Sequence, residues 1–273
     1  MIIETARAKL NLALHVRARR PDGYHELETL FAFVEDGDVL TVAPADADSL
    51  ALTGPFGAVL SGEGDNLVMR AAARFREAVG GGAHAITLDK RLPVASGIGG
   101  GSADAAATLR ALARLHGVPL DDPALFAIAD GLGSDVPACL LGRTARGRGR
   151  GEQLEPIAGL PGTPALLVNP GVAVSTAAVF RAWDGVDRGP IGQGDLLEIS
   201  RAGRNDLESP ARTIAPAIDE VLDALSARNN ILLARMSGSG ATCFALFENE
   251  EARAGAAADL ARPGWWTLET RLV

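Results

Sequence analysis

Pro93-Val94-Ala95-Ser96-Gly97-Ile98-Gly99-Gly100-Gly101-Ser102 is the stretch on which the reading of this chain turns. It follows a short apolar alternation at 85–88, expected to be a strand. It precedes 103–116, where Ala106, Leu109 and Ala113 recur at helical spacing and Gly117 supplies a stop. Glycine lets the backbone approach a ligand closely and take conformations closed to other residues. A helix beginning directly after such a loop offers unpaired N–H groups and the positive end of its dipole. Together they make an anion site suited to the phosphates of ATP, with a plain glycine-rich turn as the alternative. Two commoner phosphate loops are excluded. A Walker A loop ends in Gly-Lys-Ser/Thr, and no lysine is present. In a G-x-G-x-x-G loop the third glycine would fall on Ser102 or Asp104, depending on the start.

Upstream, residues 9–16 alternate, with Leu10, Leu12, Leu14 and Val16 on one strand face and Lys9, Asn11, Ala13 and His15 on the other. The turn signal Pro21-Asp22-Gly23 leads into a second expected strand at 24–34. Residues 66–79 read as a helix capped by Asp65 or Asn66 and stopped by Gly80-Gly81-Gly82. Asp122-Pro123 opens another that stops near Gly131. The C-terminal half has a different order: strand 165–168, helix 214–228, strands 231–236 and 242–247, helix 250–261, strand 265–272. That is the β-α-β-β-α-β order of a ferredoxin-like unit. An extra helix at 175–183 and an irregular region at 184–204 interrupt it. The fold class is therefore α+β in two domains, 1–160 and 161–273, divided in the Pro- and Gly-punctuated stretch 159–163.

The 273 residues are 47% hydrophobic and 22% charged, a composition that supports a packed core and excludes disorder. A net charge of −8 opposes a polyanionic partner, so nucleic acid is not expected. Cys139 and Cys243 sit far apart in apolar stretches and read as buried free thiols of a reducing compartment. Neither a signal peptide nor an apolar run long enough to span a bilayer is evident, so a cytoplasmic protein without membrane contact is expected. His15, His25, His84 and His116 have no metal-ligand spacing. Arg143, Arg146, Arg148 and Arg150 alternate with small residues and read as a solvated hairpin rather than a phosphate clamp.

Two further glycine-rich stretches bear on chemistry. Gly131-Leu132-Gly133-Ser134-Asp135-Val136-Pro137 sets an acid in a tight turn, where Asp135 is either a turn former or a base. Met236-Ser237-Gly238-Ser239-Gly240-Ala241-Thr242 joins two strands, as a simple hairpin also would.

Taken with Ala8-Lys9-Leu10-Asn11-Leu12, these stretches resemble the GHMP (galactokinase, homoserine, mevalonate and phosphomevalonate) kinase superfamily. Within it, Arg20-Pro21-Asp22-Gly23-Tyr24-His25-Glu26-Leu27 is similar to the signature of the member acting on 4-diphosphocytidyl-2-C-methyl-D-erythritol, in the non-mevalonate route to isoprenoid precursors. The resemblance implies an N-terminal mixed β/α domain, a C-terminal ferredoxin-like domain and an active site in the cleft between them. It implies ATP, with Mg2+ carried on its phosphates, as phosphoryl donor to the substrate's 2-hydroxyl. Asp135 would accept the hydroxyl proton, and Lys9 would hold that hydroxyl and the transferring phosphate. Asn66 would read the adenine, although a simple helix cap is its rival. Lys90, Leu92 and Pro93 would complete the nucleotide wall, and Val94, Ala95, Ser96, Gly97, Ile98, Gly99, Gly100, Gly101, Ser102 and Ala103 the phosphate loop. Tyr24 and Phe180 would sandwich the cytosine and His25 would bond its edge, although Phe180 as core is equally compatible with its spacing. Asn11, Thr176 and Gly238 would complete the substrate site. The chain departs from the pattern at Ala95-Ser96, where consecutive glycines are common, and at Ala103, where a second serine is frequent.

Overall fold

A computed structural model describes residues 1–60 and 66–273. The alternative cap Asp65 lies outside the described residues. In chain order the elements are β1 (Ile2–Arg19), β2 (His25–Ala45), β3 (Ser49–Thr53), α1 (Gly57–Leu60), α2 (Leu67–Val79), β4 (Ala83–Asp89), α3 (Gly100–His116), α4 (Pro123–Leu132), α5 (Val136–Leu141), β5 (Ala145–Gly149), β6 (Gln153–Pro156), β7 (Pro164–Asn169), α6 (Thr176–Ala182), α7 (Leu196–Ala202), α8 (Glu208–Ile214), α9 (Ala217–Ser226), β8 (Ile231–Met236), β9 (Cys243–Phe247), α10 (Glu250–Leu260) and β10 (Trp266–Arg271).

Contacts group the chain into two compact units that are not the two halves of the sequence. One comprises Met1–Ala8, Asp36–Val94 and Gly99–Gly142; the other comprises Lys9–Glu35, Ala95–Ile98 and Arg143–Val273. The reason is the length of β1 and β2, each of which contributes residues to both units. A single boundary at 159–163 does not describe this division.

In the first unit, β4 lies between β2 and β3, antiparallel to β2 from Val39↔Asp89 to Ala45↔Ala83 and parallel to β3. Gly37 lies where β2 meets β1. A Cβ there would fall 2.0 Å from the Ala6 carbonyl oxygen, so only glycine permits the approach. Helices α2, α3, α4 and α5 pack on one another, burying Phe75, Leu109, Leu112, Leu125, Ala129 and Val136. The α2 helix starts where Asn66 Oδ1 accepts from Val68 N at 2.8 Å, a cap worth about 1 kcal/mol. Gly117, in the left-handed region at φ 70°, ends α3 and donates its N–H to Ala113 O.

In the second unit, β10, β7, β9 and β8 form an antiparallel four-stranded sheet in that order. Numbering those strands along the chain gives 4-1-3-2, and α9 and α10 occupy the two helical connections, as the ferredoxin-like reading required. Its core gathers Leu166, Val168, Phe247, Ile218, Val221, Leu225, Ala257 and Leu260. Residues 27–31 of β2 pair with β5, and β5 pairs with β6.

Three expectations are corrected. Residues 184–204 are not wholly irregular: α7 begins where Asp195 Oδ1 accepts from Leu197 N and Glu198 N, a capping pattern that the surrounding glycines concealed. The helix expected over 214–228 is α9 but starts later, at Ala217, and a separate helix, α8, precedes it, because Pro216 has no N–H to continue α8 into α9. The four arginines are not uniformly solvated. Arg143 and Arg148 are exposed, but Arg146 is buried and donates to Ile191 O at 3.1 Å and Gly192 O at 2.6 Å.

Candidate active site

The second unit carries the lysine. Lys9, on β1, is only 3% exposed, and its Nζ donates to Asn11 Oδ1 at 2.8 Å. Two residues apart on a strand, the side chains share a face. Asn11 Nδ2 donates to Thr29 Oγ1 at 2.8 Å, and that hydroxyl donates to Ala13 O at 2.7 Å. Since the Thr29 proton is committed to a carbonyl, its oxygen must accept from Asn11. The amide is thereby oriented with its oxygen toward the ammonium. Phe31 presents its ring face to Lys9, with the centroid 5.6 Å from Nζ.

The Ser237 loop closes on the first half of the glycine stretch. Ser237 Oγ donates to Gly97 O at 3.1 Å, Asn11 N donates to Ser237 Oγ at 3.2 Å, and Thr242 N donates to Ser96 O at 3.1 Å. Gly97, at φ 79°, has Ser237 O 2.4 Å from the place a Cβ would occupy, so the close approach and the backbone angle both demand glycine. Gly238 lies against Gly97 O in the same way. Asn205 Nδ2 donates to both Met236 O and Gly238 O at 2.8 Å, and Thr176 Oγ1 lies 2.9 Å from Ser239 Oγ. Nothing in the local sequence around Asn205, Ser237 or Thr29 distinguishes them as site residues. Their signal is a spatial closure between distant segments.

The aromatic group also lies in this unit. Tyr24 follows the Asp22-Gly23 turn, its N–H donated to Asp22 Oδ1 at 3.1 Å, and is 49% exposed. The Arg150 guanidinium sits 4.9 Å from its ring centroid. The His25 ring packs against Phe180 at 4.8 Å and meets Trp183 edge-on at 5.8 Å. Its Nε2 is buried with no hydrogen-bond partner among the described residues. Burial, then the nearby Arg19 charge, lower the His25 pKa, favouring a neutral ring that can bond through either nitrogen. Phe180 also packs on the core cluster, so its core role is real.

The first unit carries α3 and Asp135. Gly99 at φ 68° turns the chain into α3, whose first residues are Gly100, Gly101 and Ser102. Gly101 is exposed and Gly99, Gly100 and Ser102 half-buried, so the amides of this first turn lie near the surface. The side chains of Leu92 and Ala103 in this unit, and of Ile98 in the other, are buried. Val94 is half-buried, Pro93 and Ser96 buried, and Ala95 takes a left-handed φ of 52°. Asn66 is engaged as the α2 cap, its Oδ1 accepting from Val68 N. Lys90 is 2% exposed, and its ammonium is held between Asp38 and Asp104 at 2.5 and 2.7 Å. Asp135 occupies the position before α5, half-buried, and its side chain makes no capping bond to that helix. Cys139 and Cys243 are buried, as expected. No helix among the described residues is long and apolar enough to cross a membrane.

Comparison with known proteins matches GHMP kinases N terminal domain to residues 66–143 and GHMP kinases C terminal to residues 190–264. A relative from Rhizorhabdus wittichii named 4-diphosphocytidyl-2-C-methyl-D-erythritol kinase is 57% identical, over 98% of this chain and 94% of its own. One of the same name from Novosphingobium aromaticivorans is 53% identical over 97% and 90%. Among solved structures, a 4-(cytidine 5'-diphospho)-2C-methyl-D-erythritol kinase superposes with a TM-score of 0.80 at 40% identity, covering 99% of both chains. A mevalonate kinase at 12% identity superposes with a TM-score of 0.68, covering 100% of this chain and 99% of its own, and shares the fold.

Proposed function

Because the chain belongs to the 4-diphosphocytidyl-2-C-methyl-D-erythritol kinase family of the GHMP kinases, we propose that it transfers the γ-phosphoryl group of ATP to the 2-hydroxyl of 4-diphosphocytidyl-2-C-methyl-D-erythritol, a step toward isoprenoid precursors. The observation that carries the chemistry is Lys9, an ammonium held in a buried position by an amide whose orientation is itself fixed.

In this reading the first-turn amides of α3, with Gly99 through Ala103, receive the ATP phosphates, and Mg2+ enters bound to them. Ser102, on that turn, supplies a hydroxyl of the kind that ligates such an ion. Asn66 offers its amide hydrogens to the adenine, and residues 90–98 supply backbone. The substrate oxygen attacks the γ-phosphorus as the bond to the β,γ-bridging oxygen breaks, and its proton passes to Asp135. Lys9 offsets the charge on the attacking oxygen and the transferring group. Asn11, Thr176 and Gly238 hold the polyol side of the substrate. Tyr24 offers an exposed ring face to the cytosine, Phe180 the opposing wall, and His25 a neutral imidazole to the base edge.

A cytoplasmic setting is part of the proposal, in keeping with two cysteines far apart in the sequence and both buried, and small molecules rather than nucleic acid are the partners at a net charge of −8. The test is ATP turnover against the cytidyl substrate, mevalonate, homoserine and galactose. Stimulation by the cytidyl compound alone is expected. Stimulation by any of the others in its place overturns the substrate assignment.

A further inference from the structure

Asp38, Lys90 and Asp104 come from the second strand, the segment after β4 and the second turn of α3, and all three are buried. The Lys90 ammonium bridges the two carboxylates. Asp38 Oδ1 also accepts from the backbone N–H groups of Arg91 at 2.5 Å and Leu92 at 2.8 Å. On the other side the ammonium lies under the start of α3: a Cβ on Gly100 would sit 3.1 Å from Lys90 Nζ. One carboxylate oxygen, Asp104 Oδ1, is buried with no hydrogen-bond partner among the described residues. A cation so enclosed, 2% exposed, has no face left for a nucleotide base. Its charge is spent on two acids, one of which fixes the 91–92 backbone while the other belongs to the helix that begins at Gly100.

We propose that Asp38, Lys90 and Asp104 are positioning residues for ATP, locking the backbone of 90–92 to the first turns of α3, and that the Lys90 ammonium does not touch the nucleotide. The inference rests on reading α3 as the ATP-phosphate helix. It assigns the Lys90 side chain a different role from a direct contact in the nucleotide wall. Removing the ammonium alone leaves two buried acids facing each other without their cation, which costs more than removing the ammonium together with the Asp104 carboxyl.

The experiment uses the full chain as wild type, Lys90→Met and Lys90→Met/Asp104→Asn. Two readouts are hydrogen exchange at the amides of 91–92 and 100–104 without nucleotide, and the ATP Kd by calorimetry. Lys90→Met is expected to speed exchange in both segments and weaken ATP by about tenfold or more, with the double variant returning both toward wild type, the Kd to within about threefold. If Lys90→Met does not fold, the double variant is compared with wild type alone. Exchange and affinity moving together, or both staying at wild-type values in the double variant, supports positioning. Wild-type exchange with ATP still weakened tenfold means that the ammonium contacts ATP, and overturns the proposal. Unchanged exchange and unchanged affinity in Lys90→Met overturn it too. Failure of the wild type to bind ATP would instead refute the phosphate-helix reading on which the inference rests.

Discussion

Asn11 Oδ1 faces Lys9 Nζ at 2.8 Å because Thr29, on the neighbouring strand, takes the other end of the Asn11 amide. The ammonium is oriented by a residue that need not meet any substrate. Thr29→Val keeps the shape, removes the acceptor and leaves Asn11 Nδ2 and Ala13 O without their buried partner. A lost buried hydrogen bond of about 1 to 2 kcal/mol predicts a fall in kcat of about tenfold with KM for ATP little changed. Thr29→Ser restores the hydroxyl and should restore kcat. A serine variant as impaired as the valine one would mean that packing, not orientation, is at stake.

Asp135→Asn tests the base. The amide preserves size, and Asp135 makes no capping bond that the change would break. Turnover should fall by about two to four orders of magnitude with ATP affinity retained. A loss under about tenfold would leave Asp135 only an orienting role.

Tyr24 separates recognition from transfer. Its ring is 49% exposed and backed by Arg150. Tyr24→Ala should cost about 1 to 3 kcal/mol of cytidyl-substrate binding, seen in that KM and not in the ATP KM. Tyr24→Phe should keep most activity. A change confined to ATP would remove Tyr24 from the cytosine site.

Ala95 has a left-handed φ of 52°, which costs a non-glycine residue roughly 1 to 2 kcal/mol. Ala95→Gly relieves that strain and adds roughly 0.4 to 1 kcal/mol of unfolded-chain entropy. The melting temperature should hold or rise, against the usual fall for alanine to glycine. A drop of several degrees would show that the Ala95 methyl is needed.

Asp104 is raised from the ordinary carboxyl value of 3.8 to about 7, by burial first and against the pull of Lys90, with Asp38 adding to the rise. The folded chain therefore holds a proton that the unfolded chain releases. Stability from this group is present below about pH 4 and is lost as pH rises toward 7, then stays level. Asp104→Asn should flatten that slope in thermal melts taken from pH 5 to 8, gaining on wild type as pH rises. Parallel curves for the two proteins would refute the assignment.

Much of this molecule follows from local rules. Gly97 through Ser102 foretold the turn and helix start, and the two-residue spacing of Lys9 and Asn11 put them on one strand face. The order of strands and helices after residue 163 specified the ferredoxin-like unit, because periodicity and caps act over a few residues and survive in any context. The buried arrangement around Lys90 did not follow. Asp38 lies 52 residues from Lys90 and Asp104 lies 14 away, and only the register of β2 on β4 and the placement of α3 decide that these three charges meet. Arg146 shows the same limit. Its alternation with small residues suits a solvated strand, yet the carbonyls of Ile191 and Gly192, from a segment without periodicity, cover it. Whether a charge is solvated depends on which distant backbone lands on it. Packing of the whole chain settles that, because the free energy of removing a charge from water is recovered only where partners from other segments converge.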